Sequence, residues 1–222
     1  MSRWPRALAS LAERLAEGAD VGHAVSDLEA RRLERHFPQA DGKIAVLPNG
    51  VCGDVLAARG RGPRGDYLIY AGRIERYKRL ETAVELAAEL ARGGAASRLL
   101  IVGGGPHAER VRRYAERGTP GLVEFSGPLP REEYIDLLSR ALATVNPSED
   151  EAYSIFTAEA LAAGVPAAVS RALAEVFPCR AEAPDTWRRA LERLGLVYLA
   201  PRCEIKAWEE VVDELARRIY GL

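Results

Sequence analysis

Short apolar runs alternate with amphipathic stretches through most of the chain. The apolar runs are Tyr67–Ala71, Leu99–Val102, Leu122–Phe125, Ala143–Val145 and Pro166–Val169. The amphipathic stretches between them are Tyr77–Ala91, His107–Arg117, Arg131–Arg140 and Ile155–Ala163. Near-continuous apolar strands separated by helices are typical of a parallel sheet covered on both faces. The pattern therefore predicts an α/β fold with a doubly wound, Rossmann-like parallel sheet, whose ligands bind beyond the carboxyl ends of the strands.

Weaker patterns flank this regular region. Apolar residues at helical spacing predict an amphipathic helix over Arg3–Glu17. These apolar residues are Trp4, Leu8, Leu11 and Leu15. Ser26 and Glu29 form a capping box, which predicts a second helix to about His36. Further elements are predicted at Lys43–Leu47, Trp187–Leu194, Leu196–Leu199 and Lys206–Tyr220.

Composition narrows the class of protein. With 222 residues, the chain is long enough for one large domain or two small ones. Hydrophobic residues make up 48% of it, which is enough for a sizeable core. A net charge of −1 gives no general attraction to nucleic acid, so an anion site has to be local. Because no signal peptide and no long uncharged apolar stretch is present, we expect a cytoplasmic protein without an integral membrane segment. Peripheral contact with a membrane stays open.

The rare residue types lead to two further expectations. Cys52, Cys179 and Cys203 include no CxxC pair, so we expect three free thiols rather than a disulfide or a zinc site. Asparagine, glutamine and methionine are scarce, which is typical of a heat-adapted source. An arginine-rich codon bias would produce a similar composition.

The first predicted strand is followed by a cluster of cations. Arg73, Arg76, Lys78 and Arg79 surround the expected start of a helix, with only Glu75 among them. The positive end of a helix dipole disfavours cations. A bound diphosphate held by Arg73 and Lys78 would supply the missing negative charge. The alternative is a solvated charge cluster.

Two further strand ends carry weaker signals. Gly103, Gly105 and Ala108 fit a G-x-G-x-x-A fingerprint for dinucleotides, with Glu124 about 20 residues on. A tight strand-to-helix turn explains the same glycines, so an NAD-binding domain remains an alternative. The stretch 125–130 is a turn whose backbone could hydrogen-bond a flat base.

The fourth strand end is acidic. Asn146 ends the strand, and Glu151 precedes the helix that contains Glu159. The free N–H groups near Ser154 and Ile155 offer a phosphate cradle. Glu159 lies among apolar residues, where a carboxylate needs partners. The hydroxyls of a ribose would satisfy it, as in dinucleotide folds; pairing with an arginine from a neighbouring helix is the alternative.

Together these segments resemble the group-one family of retaining GT-B glycosyltransferases over about residues 21–170. Glu151 and Glu159 have the spacing of that family's paired glutamates, and PSEDEAYSIFTAEALAAGVPAAVS is similar to the segment around them. Similar strings occur elsewhere: VLPNGV, YAGRIERYKRLETAVEL, LLIVGGGP, FSGPLPREEYIDLLSRA and, near the C-terminus, WEEVVDELARRIY. The resemblance implies a single half of the GT-B fold that binds a nucleotide-diphospho-sugar.

The resemblance also implies roles for individual residues. Arg73 and Lys78 would clamp the diphosphate in place of a metal, and Glu151 would contact hydroxyls of the sugar. The remaining ligand contacts would come from Gly72, Gly104, Leu129, Ser154, Ile155 and Glu159, with Leu129 near the base and Glu159 on the ribose. The implied reaction transfers a hexose with retention of anomeric configuration and needs neither a metal nor a cofactor.

The chain departs from the family in three places. Ala152-Tyr153-Ser154 replaces the usual glycines after the first glutamate, and a glycine pair expected after Val169 is missing. Only about 40 residues precede the VLPNGV segment, so we expect 1–40 to be a remnant of an acceptor domain and 41–222 to bind the nucleotide sugar. The acceptor would then come from a separate subunit or a second copy. A non-catalytic nucleotide-sugar-binding module is the alternative.

Overall fold

The computed structural model describes residues 6–61 and 64–220. Its strands are β1 (Gly22–Ala24), β2 (Ile44–Val46), β3 (Tyr67–Ala71), β4 (Arg98–Val102), β5 (Val123–Gly127), β6 (Ala143–Asn146), β7 (Ala167–Ser170) and β8 (Leu196–Leu199). Its α-helices are α1 (Arg6–Gly18), α2 (Asp27–His36), α3 (Gly53–Leu56), α4 (Leu80–Arg92), α5 (Ala108–Gly118), α6 (Arg131–Arg140), α7 (Ile155–Ala162), α8 (Asp185–Leu194) and α9 (Trp208–Tyr220). Short 3-10 turns lie at Pro38–Ala40, Arg76–Lys78 and Leu173–Glu175.

The main sheet has six strands in the order β5-β4-β3-β6-β7-β8. All neighbours are parallel except β7 and β8, which are antiparallel. The chain builds outward from β3 in one direction and from β6 in the other, so the order reverses between these two strands. This doubly wound α/β topology confirms the predicted fold, and its reversal point is where such sheets bind ligands.

Burial explains why the strands are continuously apolar. Residues of β3, β6 and β7 are almost entirely buried, because helices cover both faces of the sheet. Helix α7 is also buried along its whole length except at Ile155, so it lacks the polar face of a surface helix. A carboxylate on this helix, Glu159, is therefore held inside the protein.

The N-terminal part forms a separate two-stranded parallel sheet. Strand β1 pairs with β2, so this sheet spans the boundary predicted at residue 40. Half of the predicted capping box is present: Ser26 accepts a hydrogen bond from the N–H of Glu29, but the Glu29 carboxylate accepts from the N–H of Val25 and not from that of Ser26. The predicted helix over Arg3–Glu17 begins at Arg6, and Trp4 lies outside the described residues. Leu11 and Leu15 are exposed.

One expectation about the cysteines is wrong. Cys179 and Cys203 form a disulfide with a Cα–Cα distance of 5.4 Å, and Cys52 is a free, exposed thiol. The pairing depends on β8, which returns the chain beside the segment that contains Cys179. The N–H of Ala200 donates to the carbonyl of Cys179 at 3.0 Å, three residues before Cys203. Sequence spacing alone carries no sign of this approach.

No helix among the described residues has both the length and the apolar character that crossing a bilayer requires.

Candidate functional site

A cleft of about 610 Å³ opens at the carboxyl ends of the central strands. We call it the switch-point cleft, and its lining residues are Ala71, Gly72, Arg73, Val102, Gly103, Gly104, Leu129, Arg131, Tyr134, Phe156 and Glu159. Five residues predicted from the sequence are therefore brought together: Gly72, Arg73, Gly104, Leu129 and Glu159. Its volume lies within the range of about 300–1,000 Å³ that small-ligand sites occupy.

The other predicted residues are not among those that line the cleft. Lys78 and Glu151 pair with each other between the loops that follow β3 and β6. Ser154 and Ile155 lie at the start of α7, where Ser154 is buried and Ile155 is exposed.

The cation cluster after β3 is more nearly neutralised than the sequence indicated. Arg73 pairs with Glu75 at 3.0 Å, and Arg79 pairs with Glu149 at 2.8 Å. The prediction that only Glu75 opposes these cations is wrong, because the loop after β6 folds against them and contributes carboxylates. Nor do the cations start the helix directly, since α4 begins only at Leu80, after the 3-10 turn and a left-handed Arg79 with φ of 50°.

The Lys78–Glu151 ion pair is largely shielded from water. The side chain of Lys78 is 15% exposed and that of Glu151 is 8% exposed. Lys78 also lies 4.9 Å from the ring centroid of Tyr77. The side chain of Arg73, by contrast, is 75% exposed and pairs with Glu75 in its own loop. Arg73 is thus an exposed cation that lines the cleft, whereas Lys78 is held beside it by Glu151.

The three glycines after β4 have different reasons to be glycine. A Cβ on Gly103, whose φ is 116°, would overlap the carbonyl oxygen of Gly72. A Cβ on Gly105 would come within 2.7 Å of the amide nitrogen of Ile74. Gly104 has no atom within 4 Å of a Cβ and lines the cleft. Two of the glycines are therefore explained by packing against the loop after β3.

The acidic residue of the dinucleotide fingerprint is misplaced for NAD. Glu124 is the second residue of β5, away from the carboxyl end, and it pairs with Arg98 at 3.3 Å. Such a carboxylate cannot reach a ribose at the carboxyl edge of the sheet. The geometry disfavours the NAD alternative.

Glu159 is the polar centre of the switch-point cleft. One of its oxygens accepts from Arg131 at 2.8 Å, and the other accepts from the hydroxyl of Tyr134 at 2.6 Å. Burial and the charge of Glu159 raise the pKa of Tyr134, which keeps this phenol protonated and donating. The alternative in which Glu159 pairs with an arginine of a neighbouring helix is therefore present in the structure.

Arg131 links this carboxylate to a second one. Its Nε and Nη2 atoms donate to the two oxygens of Asp54, each at 3.0 Å. These hydrogen bonds lower the pKa of Asp54 below its ordinary value. Asp54, Arg131 and Tyr134 were missed from the sequence, although a basic residue and a tyrosine three apart at the start of α6 were a visible signal.

The start of α7 is fixed by its own side chains. Ser154 caps the helix by accepting from the N–H of Thr157 at 3.2 Å, and it also accepts from Asn146 at 2.9 Å. A hydrogen bond between Ser26 and the carbonyl of Ala152 at 2.6 Å ties the preceding loop to the N-terminal part. These contacts set the position of Glu159 one turn further along.

Two further features bear on ligands. Within residues 6–61 and 64–220, no three histidine, cysteine, aspartate or glutamate side chains cluster closely enough to hold a metal ion. A second groove, of about 590 Å³, lies on the outer side of the loop after β3 and includes Tyr77, His107 and Arg110. The glutamates and arginines that line this groove are equal in number, so their charges balance. One of the glutamates, Glu81, accepts a hydrogen bond from His107 at 3.1 Å.

Known proteins similar to this chain point to one group. A D-inositol 3-phosphate glycosyltransferase of Nocardiopsis dassonvillei is 28% identical over 91% of this chain and 56% of its own length. A GDP-mannose-dependent alpha-(1-6)-phosphatidylinositol dimannoside mannosyltransferase of Mycobacterium tuberculosis is 34% identical over 50% of this chain and 29% of its own length. The chain spans about half the length, or less, of these relatives.

Solved structures agree on the fold. The S. aureus TarM G117R mutant, crystallised with fondaparinux, alpha-GlcNAc-glycerol and UDP, aligns with a TM-score of 0.62 at 14% identity. The match covers 75% of this chain and 33% of that one. The model of the family described as glycosyl transferases group 1 matches residues 57–175, more than half of the chain. With the sheet topology and the switch-point cleft, this match shows that the chain belongs to the group 1 glycosyl transferase family.

Proposed function

We propose that the switch-point cleft binds a nucleotide-diphospho-sugar, and that this chain is the donor-binding half of a retaining glycosyltransferase that transfers a hexose. The observation that carries the proposal is the convergence of Arg73 and Glu159 on one cleft, with the Lys78–Glu151 pair beside it. Membership of the family supports the same reading.

The diphosphate would lie at the loop after β3. Arg73 is exposed enough to turn toward it, and Lys78 offers a second cation from the side of Glu151. Both would stabilise the negative charge that grows on the diphosphate as the glycosidic bond breaks, a contribution that metals make in other transferases. N–H groups at Ser154 and Ile155 would add donors from the start of α7.

The nucleoside would lie along the other side of the cleft. A carboxylate has about four lone-pair sites, and Arg131 and Tyr134 each use one of those on Glu159. The remaining sites would accept the ribose hydroxyls. Gly104 leaves open space for the ligand to approach the backbone, and the backbone near Leu129 would meet the base.

The acceptor would be supplied from outside this chain. Since the relatives are about twice as long or longer, we propose that a separate acceptor domain, subunit or second copy covers the cleft. In the retaining step the acceptor would attack from the face that the diphosphate leaves, and the leaving phosphate would take the proton of the acceptor. Glu151 would contact the sugar during this step.

Titration calorimetry with UDP and GDP tests the proposal. Wild-type protein should bind at least one of them, and Lys78→Ala should weaken this binding by roughly 2–3 kcal/mol, because a charge-assisted contact is lost. Lys206→Ala is a control, since Lys206 is also paired with a glutamate, Glu214, but it precedes α9 and is not part of the loops after β3 and β6. Absence of binding to either nucleotide, or equal binding by Lys78→Ala and wild type, would refute the assignment.

A further inference from the structure

The ion pair between Lys78 and Glu151 joins two groups that the proposed function assigns to different parts of the ligand. Lys78 is assigned to the diphosphate and Glu151 to the sugar, yet in the structure the two side chains pair with each other. Both side chains are largely shielded from water, so their charges are poorly screened by salt. A diphosphate that approaches Lys78 therefore meets an ammonium group that is already paired with the carboxylate of Glu151.

We propose that Glu151 is a specificity-determining residue that competes with the diphosphate for Lys78 and so disfavours free nucleoside diphosphates relative to sugar-bearing donors. This inference rests on the proposed function of the same cleft. A diphosphate beside Lys78 also lies near the carboxylate of Glu151, and two like charges in a shielded site repel each other.

The sugar changes this balance. Its hydroxyls would donate hydrogen bonds to Glu151. A complete donor would therefore replace the contact with Lys78 that the Glu151 carboxylate gives up to the diphosphate. A free nucleoside diphosphate offers no such donors. It also ends in a phosphate monoester, whose second proton leaves with a pKa near 6, so it carries roughly one additional negative charge at neutral pH. Glu151 would thus favour donor binding and promote product release.

The loop that carries Glu151 offers a matched control. Glu149 lies two residues earlier and pairs with Arg79 at 2.8 Å, but both side chains are about half exposed. Glu149→Gln removes the same charge from the same loop without unpairing Lys78. Any effect shared by both variants would come from the overall negative charge of the loop. An effect of Glu151→Gln alone would come from the loss of the ion pair with Lys78.

Calorimetry on UDP, GDP, UDP-glucose and GDP-mannose tests the inference. Removing one member of a largely shielded ion pair leaves the other charge unpaired, and an incoming anion relieves that cost. We therefore expect Glu151→Gln to tighten binding of the free diphosphate by roughly tenfold. The matching sugar nucleotide should gain less or lose affinity, and Glu149→Gln should behave like wild type. The double variant Lys78→Met/Glu151→Gln should show no gain, because no cation is released.

The contradicting result is equal or weaker binding of the diphosphate by Glu151→Gln, which would mean that Glu151 holds Lys78 in place for the ligand. Circular dichroism and thermal melting check that the variant is folded. If it is not, Glu151→Asp, which draws the carboxylate back by one methylene, should give a smaller gain of the same sign. Wild-type protein that binds neither UDP nor GDP would instead overturn the proposed function itself.

Discussion

Glu159 is the residue on which the polar contacts of the cleft converge. It is buried in α7, and Arg131 and Tyr134 occupy one lone pair on each of its oxygens. Asp54 holds Arg131 from the far side with two further hydrogen bonds, so the guanidinium is fixed in one orientation. A carboxylate braced in this way would lose little conformational freedom on binding a ribose as proposed, which would favour affinity.

The glycines after β4 provide a test of what each position needs. Gly103→Ala should lower the free energy of unfolding by at least about 2 kcal/mol, because the new methyl group would strain a positive φ and overlap the Gly72 carbonyl. Gly104→Ala should change it by less than about 0.5 kcal/mol, since nothing lies within reach of a Cβ there. Urea unfolding of the two variants measures both values.

Equal stability of these two variants would contradict the packing explanation of Gly103.

Among the elements, α7 and the loop after β3 position most of the site. Helix α7 has eight residues and no polar face, so packing rather than helix propensity decides where it lies. The loop after β3 reaches α4 only through the 3-10 turn Arg76–Lys78, which turns Lys78 toward the loop after β6. The two elements meet at the reversal of strand order, and this brings Arg73 and Glu159 into one cleft.

The disulfide fastens the C-terminal segments to the sheet. Cys179 and Cys203 are separated by 24 residues, and closing a loop of this size is worth roughly 2–4 kcal/mol. We expect a reducing agent to lower the free energy of unfolding by about that amount. A Cys52→Ser variant should respond to the reductant as wild type does, because Cys52 is a free thiol. Three titratable thiols in the unreduced, unfolded protein, with no effect of reductant on stability, would contradict the bond.

Local sequence patterns predicted the sheet well because each strand and helix has its own period. The bounds of β3, α6 and β8 match the predicted Tyr67–Ala71, Arg131–Arg140 and Leu196–Leu199. Contacts between distant segments could not be predicted in this way. The pairing of Lys78 with Glu151 and that of Cys179 with Cys203 depend on how loops fold over the sheet edge, which leaves no periodic signal.

In the candidate site, too, features that depend on local sequence were predicted, and contacts between distant segments were not. Glycines and charges at strand ends identified five residues of the cleft, because parallel strands bring their carboxyl ends to one edge. The partners of Glu159 were missed, since one buried carboxylate in a sequence does not specify which donor satisfies it. Strand β1 was also missed, because it has only three residues, whereas β2 lies within the element predicted at Lys43–Leu47.

For the molecule as a whole, the open cleft and the length of the relatives have a common explanation. The chain presents at one sheet edge the groups to which we assign the nucleotide sugar, while the segment 57–175 carries the family match. A second domain or subunit over this edge would exclude water and deliver the acceptor. Leu11 and Leu15, exposed on α1, are apolar surface that such a partner could cover.

The most direct measurement is a crystal structure of this chain with whichever of UDP or GDP it binds. We predict the diphosphate within hydrogen-bonding distance of Arg73 and Lys78, and the ribose hydroxyls on Glu159 beside Arg131. A nucleotide bound in the second groove near Tyr77 and Arg110, or a ribose remote from Glu159, would contradict it.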